Sequence, residues 1–265
     1  MTDSKYTRQT VTDVRTWVPG KLLSLRLTRD PGFEFLPGQF ARLGLPAQDT
    51  PDAEPTIWRA YSMVSAPAED ALEFYSIVVP QGEFSPRMAA LQPGDALYVE
   101  KKPFGFLTPD RFEPGGSLWL LASGTGLSAY LSMLREPSTW QRFDRIALVH
   151  GVRHAEELAY REEIENLYRR PDLAPYFAQH PGKLRYLPVA TRQALPGTPQ
   201  ERLTTLLADG RLESLLDEKL DPASVKIMLC GNPAMLADAR KLLSERGFAP
   251  GRRGIPGNLA VENYW

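Results

Sequence analysis

Cysteine is almost missing from this 265-residue chain: Cys230 stands alone. No intrachain disulfide can form, and no iron–sulfur cluster held by four thiolates can sit within the chain. The three histidines, His150, His154 and His180, show no metal-ligand spacing with one another, so no metal site is expected. No excess of one charge is present either, since 31 Lys and Arg face 32 Asp and Glu for a formal net charge of −1. The whole chain therefore lacks the positive field that nucleic-acid binding usually needs. No apolar run approaches the roughly 18–20 residues of a membrane helix, and no membrane span is expected. The opening MTDSKYTRQT has no apolar stretch of the secretory kind, which makes the cytoplasm the expected location.

What is present is ordinary globular composition, 43% hydrophobic and 24% charged, in a chain long enough for one large domain or two of ordinary size. The two halves differ in texture. Up to about Leu107 the segments are short and β-rich, as in Lys21–Leu27, Phe40–Leu45, Leu72–Val79 and Ala96–Glu100. Turn signals fall at Pro37-Gly38, Gln81-Gly82 and Pro93-Gly94. Such spacing predicts an antiparallel barrel or sandwich. Thr108–Gly116 is rich in Pro, Gly and charge and marks a boundary, placed at 110/111 to give units 1–110 and 111–265. Beyond it, apolar strands (Leu118–Ala122, Ile146–His150, Leu184–Ala190, Val225–Cys230) alternate with helical segments (Leu127–Arg135, Ala155–Arg170, Glu201–Asp209, Pro233–Arg246). That alternation predicts a doubly wound α/β sheet.

The run Gly124-Thr125-Gly126-Leu127-Ser128-Ala129 fits G-x-G-x-x-A, after a strand and opening a helix. Glycines allow a tight turn and close backbone approach, and the helix start offers free N–H groups to a pyrophosphate. A helix entry that merely contains two glycines is the alternative; the strand-before, helix-after context favours nucleotide binding. About 20 residues on, a site for unphosphorylated nicotinamide cofactor would carry an acid for the ribose hydroxyls. Here His150-Gly151-Val152-Arg153 has an arginine instead. Arg192 follows the third strand of the sheet, and Arg202 opens the next helix. Any one of these is ordinarily a solvated surface residue, but three at the carboxyl ends of adjacent elements suit a 2′-phosphate, which guanidinium pairs bidentately.

In the first half, Arg59-Ala60-Tyr61-Ser62 places Arg59 and Tyr61 on one strand face. An arginine can neutralise a phosphate and a tyrosine can lie against a flat ring, although a plain strand with one core aromatic has the same pattern.

Together with Cys230-Gly231-Asn232-Pro233 and the closing Val261-Glu262-Asn263-Tyr264-Trp265, these motifs resemble the bacterial-type ferredoxin (flavodoxin)–NADP⁺ reductases, in that family's order and over nearly the whole chain. Phe74-Tyr75, Val79-Pro80, Gly82 and Ser85-Pro86-Arg87 add to the likeness. The resemblance implies a six-stranded antiparallel β-barrel binding FAD, followed by a doubly wound α/β domain with a five-stranded parallel sheet binding NADP(H). It implies Arg59 on the FAD pyrophosphate, Tyr61 on the isoalloxazine, Ser62 near flavin N5, and Ser85 as a further pyrophosphate contact. Ala60, Met63, Val64, Tyr75, Val78 and Trp265 complete the implied FAD set. On the nicotinamide side it implies Gly124, Thr125, Gly126, Cys230 and Asn232, with Arg153, Arg192 and Arg202 receiving the 2′-phosphate. Ser62 and Cys230 are the catalytic candidates the resemblance implies, although a lone cysteine ending a buried strand is also an ordinary core residue. Glu262 near the C-terminus is a candidate proton donor, with a solvated terminal carboxylate as the alternative.

Two departures from the family pattern stand out. Thr191 and Gln193 flank Arg192 where a serine and an acid are expected, and Glu201 replaces a glycine before Arg202.

The implied reaction moves hydride between NADP(H) and FAD and single electrons between FAD and ferredoxin or flavodoxin. Any iron–sulfur centre then belongs to the partner. Lys101, Lys102, Arg252 and Arg253 are candidates for a basic rim facing an acidic carrier, and a monomer is expected. Two rivals remain at this stage: a flavin or oxygenase reductase of the same superfamily with another acceptor, and a non-catalytic nucleotide-binding module.

Overall fold

Runs in which alternate residues are apolar build the first sheet. In the computed structural model, which describes residues 4–47, 53–252 and 255–263, six strands pair antiparallel. They are β1 (Tyr6–Val18), β2 (Leu22–Thr28), β3 (Phe40–Leu45), β4 (Ile57–Ser62), β5 (Ala71–Ile77) and β6 (Ala96–Glu100), in the order β4-β3-β6-β1-β2-β5. In β6, Leu97 and Val99 are buried while Tyr98 is only half-buried, the two-residue period of a strand with one face on a core. β1 serves two partners: Tyr6–Thr10 pair with β6 and Val11–Val18 with β2. Register shifts between Val11 and Asp13 and between Thr16 and Val18 bend it from one to the other. Just past β4, Met63 bridges Phe74, and the Val64 N–H donates to the Glu73 carbonyl at 2.8 Å. The sheet thereby curls until its two edge strands meet as a barrel. Its core holds Leu25, Leu43, Met63, Phe74 and Val99, together with Met88 from the short helix α1 (Ser85–Ala90).

The second sheet has five parallel strands: β7 (Ser117–Ser123), β8 (Arg145–Val152), β9 (Leu184–Ala190), β10 (Val225–Cys230) and β11 (Leu259–Glu262). Their order is β11-β10-β7-β8-β9. β7 is buried along almost its whole length, as a strand covered on both faces must be. The order reverses between β7 and β10, and the crevice at such a reversal is where open α/β sheets bind ligands. Two apolar clusters cover the faces. One gathers Trp119, Leu121 and Val149 with Leu236 and Leu243; the other gathers Leu118, Leu120 and Leu148 with Tyr130 and Met133.

α2 (Leu127–Arg135) is buried at all nine positions because it lies between sheet and barrel. Its polar residues reach into the barrel: Ser132 Oγ donates to the Ser65 carbonyl at 2.7 Å, and Arg135 pairs with Glu73 at 2.7 Å. The second apolar cluster also takes in Val18, Leu22, Val64 and Tyr75, so one core runs through both units.

α3 (Pro137–Arg142) follows α2 directly. Residues 155–170, expected as one helix, break into a single turn (Ala155–Glu157), α4 (Arg161–Glu165) and another turn (Leu167–Arg169). The break is at Tyr160, whose φ of 60° is left-handed. That conformation costs roughly 1–2 kcal/mol. Its compensation is visible: the Tyr160 ring sits 4.5 Å from Trp17 and 5.5 Å from Tyr75, and its hydroxyl donates to Glu73 at 2.6 Å. The remaining helices are α5 (Ala174–Gln179), α6 (Leu203–Ala208), α7 (Arg211–Leu216) and α8 (Pro233–Glu245).

Candidate functional site

A cleft of about 410 Å³ opens where the barrel meets the glycine turn after β7. From the barrel it is lined by Arg59, Ala60, Tyr61 and Ser62 of β4, by Tyr75 of β5, and by Gly82 and Ser85. From the parallel sheet it is lined by Thr125, Gly126 and Gly231. Residues of the Arg59–Ser62 run and of the glycine motif thus share one cavity, at the point where the strand order reverses.

Arg59 is exposed; its guanidinium donates to the Trp58 carbonyl at 2.8 Å and lies 3.8 Å from Glu83. Tyr61, two residues on, presents its ring to Phe84 at 5.6 Å. Burial pushes the Tyr61 phenol above its ordinary pKa, against the opposing effects of a hydrogen bond with Ser76 and the charge of Arg59. Ser85 Oγ accepts from the Val79 N–H at 2.9 Å, which fixes the turn at Gly82 beneath the cleft. An exposed cation, a flat aromatic and side-chain-free glycines on the facing wall fit a phosphate joined to a planar ring.

The glycine turn is tightly held. Gly124 has φ +54°, and His150 Nε2 lies 3.0 Å from its carbonyl oxygen. A Cβ on Gly126 would sit 2.4 Å from the Cys230 carbonyl oxygen, and one on Gly231 would sit 2.3 Å from Ser123 Oγ. These two glycines let the turn after β7 and the turn after β10 close on each other. Asn232 spends its side chain capping α8, accepting from Ala234 N at 3.0 Å and Met235 N at 3.4 Å.

Arg153 and Arg192 end neighbouring strands, and the Arg192 N–H donates to the Arg153 carbonyl at 2.8 Å. Gln193 Oε1 accepts from Ala155 N at 2.9 Å and Thr191 Oγ1 donates to the Val152 carbonyl at 3.2 Å, so the two loops are laced together. Both arginines are exposed. Arg202 is exposed at the N-cap of α6. The acid beside it, Glu201, is taken up by Arg211 at 2.7 Å, and Arg211 also holds Asp209 at 2.8 Å.

Other expected residues lie apart from the cleft lining. Met63 and Val64 are fully buried, in the barrel core and the shared core respectively, and Val78 packs on the barrel core. Cys230 is fully buried, and burial, with the charge of Glu262 adding to it, pushes its thiol far up. Glu262 pairs with Cys230 in register, and its Oε1 would be 2.9 Å from a Cβ on Gly105. Trp265 and Arg253 lie outside the described residues. The cleft also uses Ser76, Phe84, Ser128 and Gly231, which motif reading did not single out. For Ser128 and Gly231 the signal was at hand, since both stand inside quoted motifs. Among the described residues, no group of three or more His, Cys, Asp or Glu could hold a metal, and no helix is long and apolar enough to cross a membrane.

Barrel, doubly wound sheet and glycine turn at the reversal point define a nucleotide-dependent oxidoreductase of two units. Residues 120–241 match the oxidoreductase NAD-binding domain. The chain is 41% identical to ferredoxin–NADP reductase A of Sorangium cellulosum, over 97% of this chain and 89% of that protein. It is 37% identical to flavodoxin/ferredoxin–NADP reductase of Shigella flexneri, over 96% and 97%. A ferredoxin NADP⁺ reductase from Neisseria gonorrhoeae, solved with bound FAD and NADP, superposes with a TM-score of 0.87 at 34% identity, covering 99% of this chain and all of that one. The chain belongs to the ferredoxin–NADP reductase family of oxidoreductases.

Proposed function

We infer that this enzyme uses FAD and NADP(H), exchanging hydride between them and single electrons with ferredoxin or flavodoxin. The carrying observation is the single cleft in which Arg59, Tyr61 and Ser62 of the barrel face Thr125 and Gly126 of the parallel sheet. FAD, when bound, would supply the two-electron-to-one-electron conversion, and the chain's own residues would bind, orient and shield it. In this reading Arg59 neutralises the FAD pyrophosphate and Tyr61 covers the ring system. Tyr75, from the neighbouring wall, excludes water. Thr125 and Gly126 bring the nicotinamide to the same cavity, and the main chain after Cys230 forms its floor. Arg153 and Arg192 take the 2′-phosphate, with Arg202 able to join them because Arg211 occupies Glu201. Glu262, half-buried at the end of β11 and in register with Cys230, is the proposed proton donor.

The unit boundary is placed at 110/111, ahead of β7. Lys101, Lys102 and Arg252 are exposed and form the proposed rim toward an acidic carrier. A cytoplasmic monomer is the proposed state.

The test is direct. The purified protein should be yellow, bleach with NADPH, and reduce cytochrome c only when ferredoxin or flavodoxin is added. Carrier-independent reduction of cytochrome c would point to another acceptor, and a colourless protein inert to NADPH would overturn the reading.

A further inference from the structure

Glu157 sits where a carboxylate is electrostatically out of place. It is 7% exposed, and its Oε2 accepts from the Arg153 backbone N–H at 3.1 Å. That puts a buried negative charge directly behind the loop carrying the proposed 2′-phosphate ligands. A dianionic phosphate would be repelled from such a place unless the charge were cancelled, because Coulomb energies near a protein surface fall off only slowly over several ångströms. The cancelling charge is present, and it comes from the other unit. Lys21, in the turn between β1 and β2, places its ammonium on Glu157 Oε1. The two residues are 136 positions apart in the chain.

The turn that presents Lys21 is itself fixed. Its N–H donates to the Val18 carbonyl at 3.0 Å, and its own carbonyl accepts from Val78 N at 2.8 Å. On the far side, Glu157 N–H donates to the His154 carbonyl at 3.0 Å, closing the turn after β8. Although burial works against its charged form, Glu157 is held below the usual carboxylate range by the Lys21 ammonium and the Arg153 N–H.

We propose that Lys21 and Glu157 are positioning residues for NADP specificity. Glu157 orients the Arg153 loop through the backbone, and Lys21 removes the charge that would otherwise repel a 2′-phosphate from that loop. The barrel unit thereby helps to set cofactor choice at a site on the other unit. The inference rests on the reading of Arg153 and Arg192 as phosphate ligands.

The test uses the FAD-loaded enzyme and two small probes, 2′-phospho-AMP and AMP, with affinities measured by calorimetry at low salt. Lys21→Met should weaken 2′-phospho-AMP by on the order of tenfold and leave AMP unchanged. Glu157→Gln keeps an acceptor for the Arg153 N–H and removes the charge, so Lys21→Met/Glu157→Gln should return 2′-phospho-AMP affinity toward wild type. A general loss of structure would weaken both probes and would not be rescued by removing a second charge. Equal loss for the two probes, no loss, or failure of the double variant to recover would each overturn the proposal. If the wild-type protein itself fails to distinguish the probes, the phosphate reading of Arg153 and Arg192 fails first, and this inference with it.

Discussion

His150 donates from Nε2 to the carbonyl oxygen of Gly124 across 3.0 Å, tying the end of β8 to the glycine turn after β7. The acceptor has no proton, so the neutral ring must carry its hydrogen on Nε2. The ring is completely buried, and burial lowers its pKa to about 4 despite the opposing effects of the Gly124 carbonyl and the Glu157 charge.

A pH dependence follows, with a definite sign. The unfolded chain takes up a proton on His150 near pH 6.5, while the folded chain resists until about pH 4. Stability from this group is complete above pH 6.5 and declines as pH falls toward 4, by about 3 kcal/mol in all. Urea unfolding of wild type and His150→Gln between pH 4 and 7.5 should show a shallower acid loss in the variant. Identical slopes would mean that His150 is not the group responsible.

Arg135 should be the costliest surface-distant charge to remove. It is 8% exposed and holds Glu73 of the barrel at 2.7 Å while its Nε and Nη2 reach both oxygens of Glu163, at 2.7 and 2.9 Å. Arg135→Ala leaves three carboxylates, Glu69, Glu73 and Glu163, without their shared cation at the seam, with an expected loss of about 3–5 kcal/mol. Arg135→Lys keeps the charge but not the planar fork and should recover only part of that. Denaturant midpoints measure both; a loss no larger than that of an exposed pair would contradict the buried-clamp account.

How much of this was legible in the sequence depends on the range of the interaction. Gly124, Gly126 and Arg153 stand beside strands whose apolar runs announce them, so both the fold and the glycine turn after β7 could be read locally. Arg59 and Tyr61 were readable as one strand face for the same reason. Tyr160 was not: nothing in residues 155–170 announces a left-handed break, because the compensation lies with Trp17, Tyr75 and Glu73 in the other unit. β1 escaped notice because its two bulges scramble the alternation that marks a strand. The charge balance between Lys21 and Glu157, across 136 residues, has no local signature. Glu201 looked misplaced beside Arg202 until Arg211 was seen to hold it.

Cofactor choice should follow the arginines. Arg153 and Arg192 are exposed, on loops laced by the 2.8 Å hydrogen bond between their backbones. Each lost charge-assisted contact to phosphate should cost about 1.5–3 kcal/mol. Arg153→Ala/Arg192→Ala should therefore raise the KM for NADPH by far more than that for NADH, with ferricyanide as acceptor. Equal changes for both cofactors would remove these residues from the phosphate site.

The two glycines of the turn should fail for different reasons when replaced by alanine. Gly124 has φ +54°, yet a Cβ there would meet nothing within 4 Å. Gly124→Ala therefore suffers only backbone strain, about 1–2 kcal/mol. Gly126 has φ −58° and ψ −13°, a conformation any residue adopts. Its difficulty is space: the added carbon would lie 2.4 Å from the Cys230 carbonyl oxygen and 2.7 Å from Gly231 N, both main-chain atoms that cannot swing aside. Relief requires the start of α2 to move off the end of β10, which opens the floor of the cleft and shifts Thr125 with it. Overpacking of this kind typically costs about 1–3 kcal/mol in stability. The larger effect should be functional, because the part displaced is the helix start that lines the cleft and is proposed to face the cofactor. Gly126→Ala should thus raise the KM for NADPH and NADH alike and slow hydride transfer, measured as stopped-flow bleaching of the flavin. Gly124→Ala should lower the melting temperature while leaving that rate closer to wild type. The reverse ranking in the flavin-bleaching rate would show that conformational freedom at Gly124, and not close approach at Gly126, is what the turn requires.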